Sequence, residues 1–205
     1  MTVPPNGSQP QYVPAFTIRQ RITMMANKYE IAVLQPDGSE GRRLAFAQQK
    51  RMALKEQVTF YTDDTKSQVV FSFKARKKID LGSGYDVLDA EGQPIGWFKK
   101  EFGKSLMRSS WQLTTPAGLH ADGTERSAGI AVLRRIWDLV PFIGEIPIPF
   151  IFHFDFTDRT TGDPVFSVER RLSVRDRYSA HVKDHRLDFR VAAAMTVALD
   201  ALQSR

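Results

Sequence analysis

The strongest constraint on this chain is a recurring unit: an alternating apolar strand, an Asp or Gly turn, a second alternating strand, then a pair of basic residues. In YEIAVLQPDGSEGRRLAFAQQKR, Tyr29, Ile31 and Val33 share one face, Pro36, Asp37 and Gly38 supply the turn, and the unit ends at Lys50 and Arg51. The next unit turns at Asp63 and Asp64, alternates Val69, Phe71 and Phe73 against Ser72, Lys74 and Arg76, and ends at Lys77 and Lys78. A third places Asp89, Gly92 and Pro94 about its turn and ends at Lys99 and Lys100. The pattern returns with Asp158, Gly162 and Pro164, closing at Arg170 and Arg171. Repeated hairpins without helical linkers predict an antiparallel meander closed into a barrel.

The C-terminal stretch breaks this rhythm. Leu187–Leu202, LDFRVAAAMTVALDAL, lacks Gly and Pro, is dense in helix formers and follows Asp184, which the spacing predicts as N-cap. Its apolar residues spread round most of the circumference, which predicts a helix buried on most sides, and Ala192, Ala193, Ala194 and Ala198 suit a tight enclosure. Crossing a bilayer takes about 20 apolar residues. This stretch is shorter and contains Asp188, Arg190 and Asp200. The barrel interior is its expected place.

The most hydrophobic run, Ile136–Phe156, is interrupted by Pro141, Pro147, Pro149, Asp138 and Glu145, which rules against a continuous membrane helix. The preferred reading is a helical turn over Val132–Leu139, a loop, and a core strand over Phe150–Phe156. The alternative is a membrane-contact loop in which Trp137, Phe142 and Ile143 dip into a lipid interface. Met1–Pro14, with Pro4, Pro5, Pro10 and Pro14 and no basic or apolar signal region, reads as a disordered leader, and residues 15–205 as one domain.

A chain of 205 residues that is 42% hydrophobic is too apolar for disorder. It has no cysteine, which excludes disulfides, thiolate metal sites and a thiol nucleophile, and points to a reducing, cytoplasmic setting. His120, His153, His181 and His185 show no metal-ligand spacing, and Asp155, Asp158 and Asp163, which lack the pattern of a calcium loop, read as turn residues. Ser83, between Gly82 and Gly84, sits in a strand-to-strand turn rather than a nucleophile elbow. No nucleotide-binding loop is present, so neither cofactor nor catalysis is expected.

What remains is the basic set: Lys50, Arg51, Lys74, Arg76, Lys77, Lys78, Lys99 and Lys100, with Arg134, Arg135, Arg170 and Arg171 beyond it. Several close equivalent strands, so a barrel would gather them along one rim or face and attract phosphate groups. A formal charge of +6 fits an acidic partner. Taken singly, such residues as readily solvate a barrel and block edge pairing.

The runs FTIRQRITMMANKYEIAVLQPDG, YDVLDAEGQPIGWFKK and DRYSAHVKDHRLDFRVAAAMTVALDAL resemble the LURP-one-related group, whose fold is shared with phospholipid scramblases and the tubby C-terminal domain. The resemblance covers roughly residues 15–203. It implies a closed barrel around a hydrophobic C-terminal helix and, through the tubby-like relatives, binding of phosphoinositide-type head groups by basic residues. The chain departs from scramblases in lacking their cysteine-rich palmitoylation segment, which leaves lipid translocation without support. Two partners follow: an anionic membrane lipid surface at the inner membrane face, or an unidentified protein. Nucleic acid ranks last, because the aromatics alternate into the core rather than forming stacking platforms. Oligomeric state is not legible.

Overall fold

Residues 11–22, 26–50, 57–76, 84–101, 110–126, 153–171 and 177–203 are described by a computed structural model of the chain. Twelve strands form a closed barrel: β1 (Ala15–Ile22), β2 (Ala26–Leu34), β3 (Glu40–Lys50), β4 (Gln57–Tyr61), β5 (Val69–Ala75), β6 (Tyr85–Asp89), β7 (Pro94–Glu101), β8 (Ser110–Thr114), β9 (His120–Glu125), β10 (His153–Asp158), β11 (Pro164–Arg171) and β12 (Arg177–Val182). Every strand is antiparallel to its sequence neighbours, and β1 closes the ring on β12 with Phe16 opposite Ala180 and Ile18 opposite Tyr178. Closure gives each of the described strands a neighbour on both sides.

Alternation sorts the side chains. Phe16 and Ile18, Tyr29 and Ile31, Phe71 and Phe73, Tyr85 and Val87, and Phe154 and Phe156 are all buried in one core. Phe60 stacks on Phe71 with ring centroids 4.2 Å apart, Tyr85 on Phe98 at 5.3 Å and Phe156 on Phe166 at 4.3 Å.

The helix α1 (Phe189–Gln203) fills the middle. Each residue from Phe189 to Asp200 is buried, as its lack of a polar stripe predicts. Its first ring, Phe189, meets Phe16 of β1 and Phe71 of β5 edge-on, and Asp200 accepts hydrogen bonds from the hydroxyls of Tyr29 on β2 and Tyr178 on β12. The helix therefore touches strands from across the ring. Among the described residues no helix is long and apolar enough to cross a membrane.

Turns from even to odd strands lie at one end, here the upper end, where the chain leaving β12 also turns inward. Four of them use one device: the carboxylates of Asp37, Asp63, Asp89 and Asp158 accept the backbone N–H two residues on, from Ser39, Thr65, Glu91 and Thr160. Gly38, Gly92 and Gly162 take φ of +82°, +81° and +79°, a region disfavoured for side-chain-bearing residues. The turn between β8 and β9 has Thr115 in place of Asp, with Gly118 at φ +79°, and this hairpin stands outside the units recognised in the sequence.

Three local expectations change. The N-cap is Asp188, not Asp184: Asp188 Oδ1 accepts the Arg190 N–H at 2.9 Å, while Asp184 turns the preceding segment through the Arg186 N–H at 2.8 Å. The core strand expected over Phe150–Phe156 is described over His153–Asp158, residues 150–152 lying outside the described set. Asp155 is no turn residue but sits within β10 and takes a bidentate pair from Arg126, both contacts 2.6 Å.

Residues on the leader side of the boundary drawn above strap the helix. Gln11 N–H donates to Asp188 Oδ2 at 3.0 Å, Phe189 N–H donates to the Gln11 carbonyl at 2.9 Å, and Val182 N–H donates to the Pro14 carbonyl at 2.8 Å. Nearby, Arg186 Nη2 bridges Asp158 and Asp184, each at 2.6 Å, tying the β10–β11 turn to the helix approach. Backbone donors at Thr160 with Arg186 hold the Asp158 carboxyl below its ordinary range, and Arg186 does the same for Asp184. Depressed folded pKa values contribute stability above the unfolded carboxylate range, and that contribution is lost as pH falls through the folded values. Arg186→Gln is expected to lower Tm at neutral pH, with the gap to the unsubstituted protein closing below about pH 4. A gap that stays constant across a pH series of thermal melts would dismiss the bridge as its source.

Candidate functional site: the basic lower end of the barrel

Odd-numbered strands all run the same way, so the topology fixes where their C-terminal ends lie. Lys50 closes β3, Arg76 follows β5, Lys99 and Lys100 lie just before the end of β7, Arg126 follows β9, and Arg170 and Arg171 close β11. By strand position these residues share the lower end, away from the Asp turns. Arg51, Lys77, Lys78, Arg134 and Arg135, and the loop residues Trp137, Phe142 and Ile143, lie outside the described residues.

The described members do not form one uniform patch. Lys74 stands exposed on the outer face of β5, opposite Gln57 and Asp86, with no ion-pair partner among the described residues. Arg76 pairs with Asp86, Nε donating to Oδ1 at 2.8 Å, and lies 4.8 Å from the centroid of the Trp97 ring. Lys99 projects outward and pairs with Glu101 at 2.9 Å. Lys100, one residue on, has the inward alternation of Phe98, and its Nζ lies 6.0 Å from the Trp111 ring centroid. Period-two geometry therefore separates the Lys99–Lys100 pair: one serves the surface and the other the barrel's lower interior.

Sequence reasoning missed the acids and the aromatic. Asp86 and Glu101 offset Arg76 and Lys99, and Trp97, half-buried on the outer face, adds an amphipathic ring beside Arg76. Trp97 was visible in principle, since it alternates with the inward Phe98. Inside the lower end, a polar layer seals the core: Gln20 Nε2 donates to the Tyr29 hydroxyl at 3.1 Å, and Tyr29 donates in turn to Asp200 at 3.3 Å. Burial, reinforced by the Asp200 charge, pushes the Tyr29 hydroxyl far above its ordinary pKa, so it remains a donor. Among the described residues, no group of His, Cys, Asp and Glu is arranged to hold a metal ion.

A twelve-stranded antiparallel barrel filled by a helix C-terminal to its strands, with basic strand ends collected below, defines a tubby-like barrel module. The chain belongs to the LURP-one-related family, whose model matches residues 43–200. A search of curated proteins finds no match.

Proposed function

We propose that the barrel is a non-catalytic module that binds anionic phospholipid head groups peripherally through its lower end. The observation that carries this reading is the convergence of basic residues closing β3, β5, β7, β9 and β11 at one end, with exposed Lys74 and the Arg76–Trp97 pair on the adjoining outer face. Lys74 supplies uncompensated charge, and Trp97 supplies a ring suited to the head-group layer. Each Lys or Arg near an anionic surface contributes on the order of 1 kcal/mol. The test is co-sedimentation with neutral, phosphatidylserine and phosphoinositide vesicles at low and physiological salt. The unsubstituted chain is expected to bind the anionic vesicles in a salt-sensitive manner. A variant with Lys74, Arg76, Lys77 and Lys78 all changed to Ala is expected to bind at least tenfold more weakly.

The ion pairs Arg76–Asp86 and Lys99–Glu101 favour a second reading, in which the same face is solvated and recognises another protein. Equal absence of vesicle binding in both proteins selects that reading.

A further inference from the structure

The seam between β3 and β4 differs from its neighbours. Among the described residues it shares one register pair, Phe46 with Tyr61, whereas β4 and β5 share five. Beside that pair, towards the upper end, a groove of about 440 Å³ opens. Leu44, Val69, Val70 and Phe189 supply apolar lining, and Arg42 and Gln68 are among its polar lining residues. The size lies within the range of small-molecule sites. Phe189, 3% exposed and the first residue of the helix that fills the barrel, limits the depth.

Arg42 stands where β3 is irregular. Register shifts between the pairs Ala32–Arg43 and Leu34–Glu40 leave it in a bulge, a feature that re-aims side chains. Arg19, Arg76, Arg126, Arg159, Arg186 and Arg190 each hold a carboxylate. The exposed Arg42 guanidinium, like those of Arg21 and Arg43, has none among the described residues, and of these three only Arg42 lines the groove.

We propose that this groove binds a free amphiphilic carboxylate, of which a medium-chain fatty acid is the simplest case, its carboxylate on Arg42 and its tail against Leu44, Val69, Val70 and Phe189. A guanidinium selects a planar anion by forked hydrogen bonds, the apolar wall selects a tail, and the shallow floor selects a short one. The site is at the opposite end from the lipid-surface residues and does not depend on them.

The experiment is calorimetric titration with octanoate, octanol and acetate, each below its aggregation concentration, alongside amide NMR mapping. Octanoate is expected to bind at least tenfold more tightly than octanol or acetate and to shift Leu44, Val69 and Val70. Arg42→Gln is expected to bring octanoate down to the octanol level while leaving Tm unchanged, and Val70→Trp to abolish binding by filling the groove. The proposal is overturned if octanoate binds no better than octanol, if Arg42→Gln binds octanoate as the unsubstituted protein does, or if the shifts map elsewhere. Should Val70→Trp fail to fold, the Arg42→Gln comparison and the shift map still decide.

Discussion

Replacing Asp188 by Ala is expected to lower the unfolding free energy by about 3–5 kcal/mol, the range for breaking a buried ion pair from one side. Three roles meet in this carboxylate. It caps α1 through the Arg190 N–H, it accepts from Arg190 Nε and Nη2 at 3.0 and 2.7 Å, and it takes the Gln11 N–H of the strap. Both side chains are almost wholly buried, at 5% exposure for Asp188 and 4% for Arg190, so the orphaned guanidinium would have nowhere to hydrate. Asp188→Ala combined with Arg190→Met removes that charge and is expected to recover most of the loss, leaving about 1 kcal/mol for the missing cap. Urea titrations of the single and double variants check this. A double variant as unstable as the single one would show that the cap and strap, rather than the buried pair, carry the effect.

Gly123→Val is expected to cost about 3 kcal/mol, at the upper end of overpacking effects. Gly123 lies within β9, opposite Trp111 on one side and Phe156 on the other. A Cβ at this position would fall 2.5 and 2.6 Å from Cζ and Cδ1 of Phe156, whose buried ring is stacked on Phe166. Phe156→Leu in the same chain is expected to relieve part of the cost by shortening the obstacle. Thermal melts read the comparison, and a Gly123→Val protein as stable as the unsubstituted one would mean that the Phe156 ring is free to swing aside.

Gly123 also illustrates what was legible beforehand. Asp37-Gly38 marks a turn because the positive φ at Gly38 and the Asp37 side chain act within a few residues. The pair Asp122-Gly123 carries the same local signal yet lies in a strand, because its glycine is required by a ring from β10 and its aspartate is paired with Arg159. The helix cap follows the same logic: Asp184 and Asp188 both lie just ahead of the helical run, and Asp188 is the one that also receives the strap from Gln11. Alternation made the barrel readable, and a run of helix formers apolar round most of its circumference made the buried helix readable. The candidate site was readable as a list of basic strand ends, but its electrostatics were not, because the pairing of Arg76 with Asp86 depends on the β5–β6 register and that of Lys99 with Glu101 on outward spacing along β7. Lys100 required only that alternation be followed one residue further.

The order of the elements governs how this molecule can be made. The helix whose side chains complete the core is C-terminal to all twelve strands, and β1 cannot join β12 until residues 177–182 exist. During synthesis the early hairpins would leave the ribosome with Tyr29, Ile31, Phe71 and Phe73 facing an empty centre, so their apolar faces await a partner that is not yet translated. Such distant closure is slow, and open strand edges in the interim invite association between chains. The Lys and Arg residues that finish the odd-numbered strands are then placed to keep growing chains apart before the ring has closed.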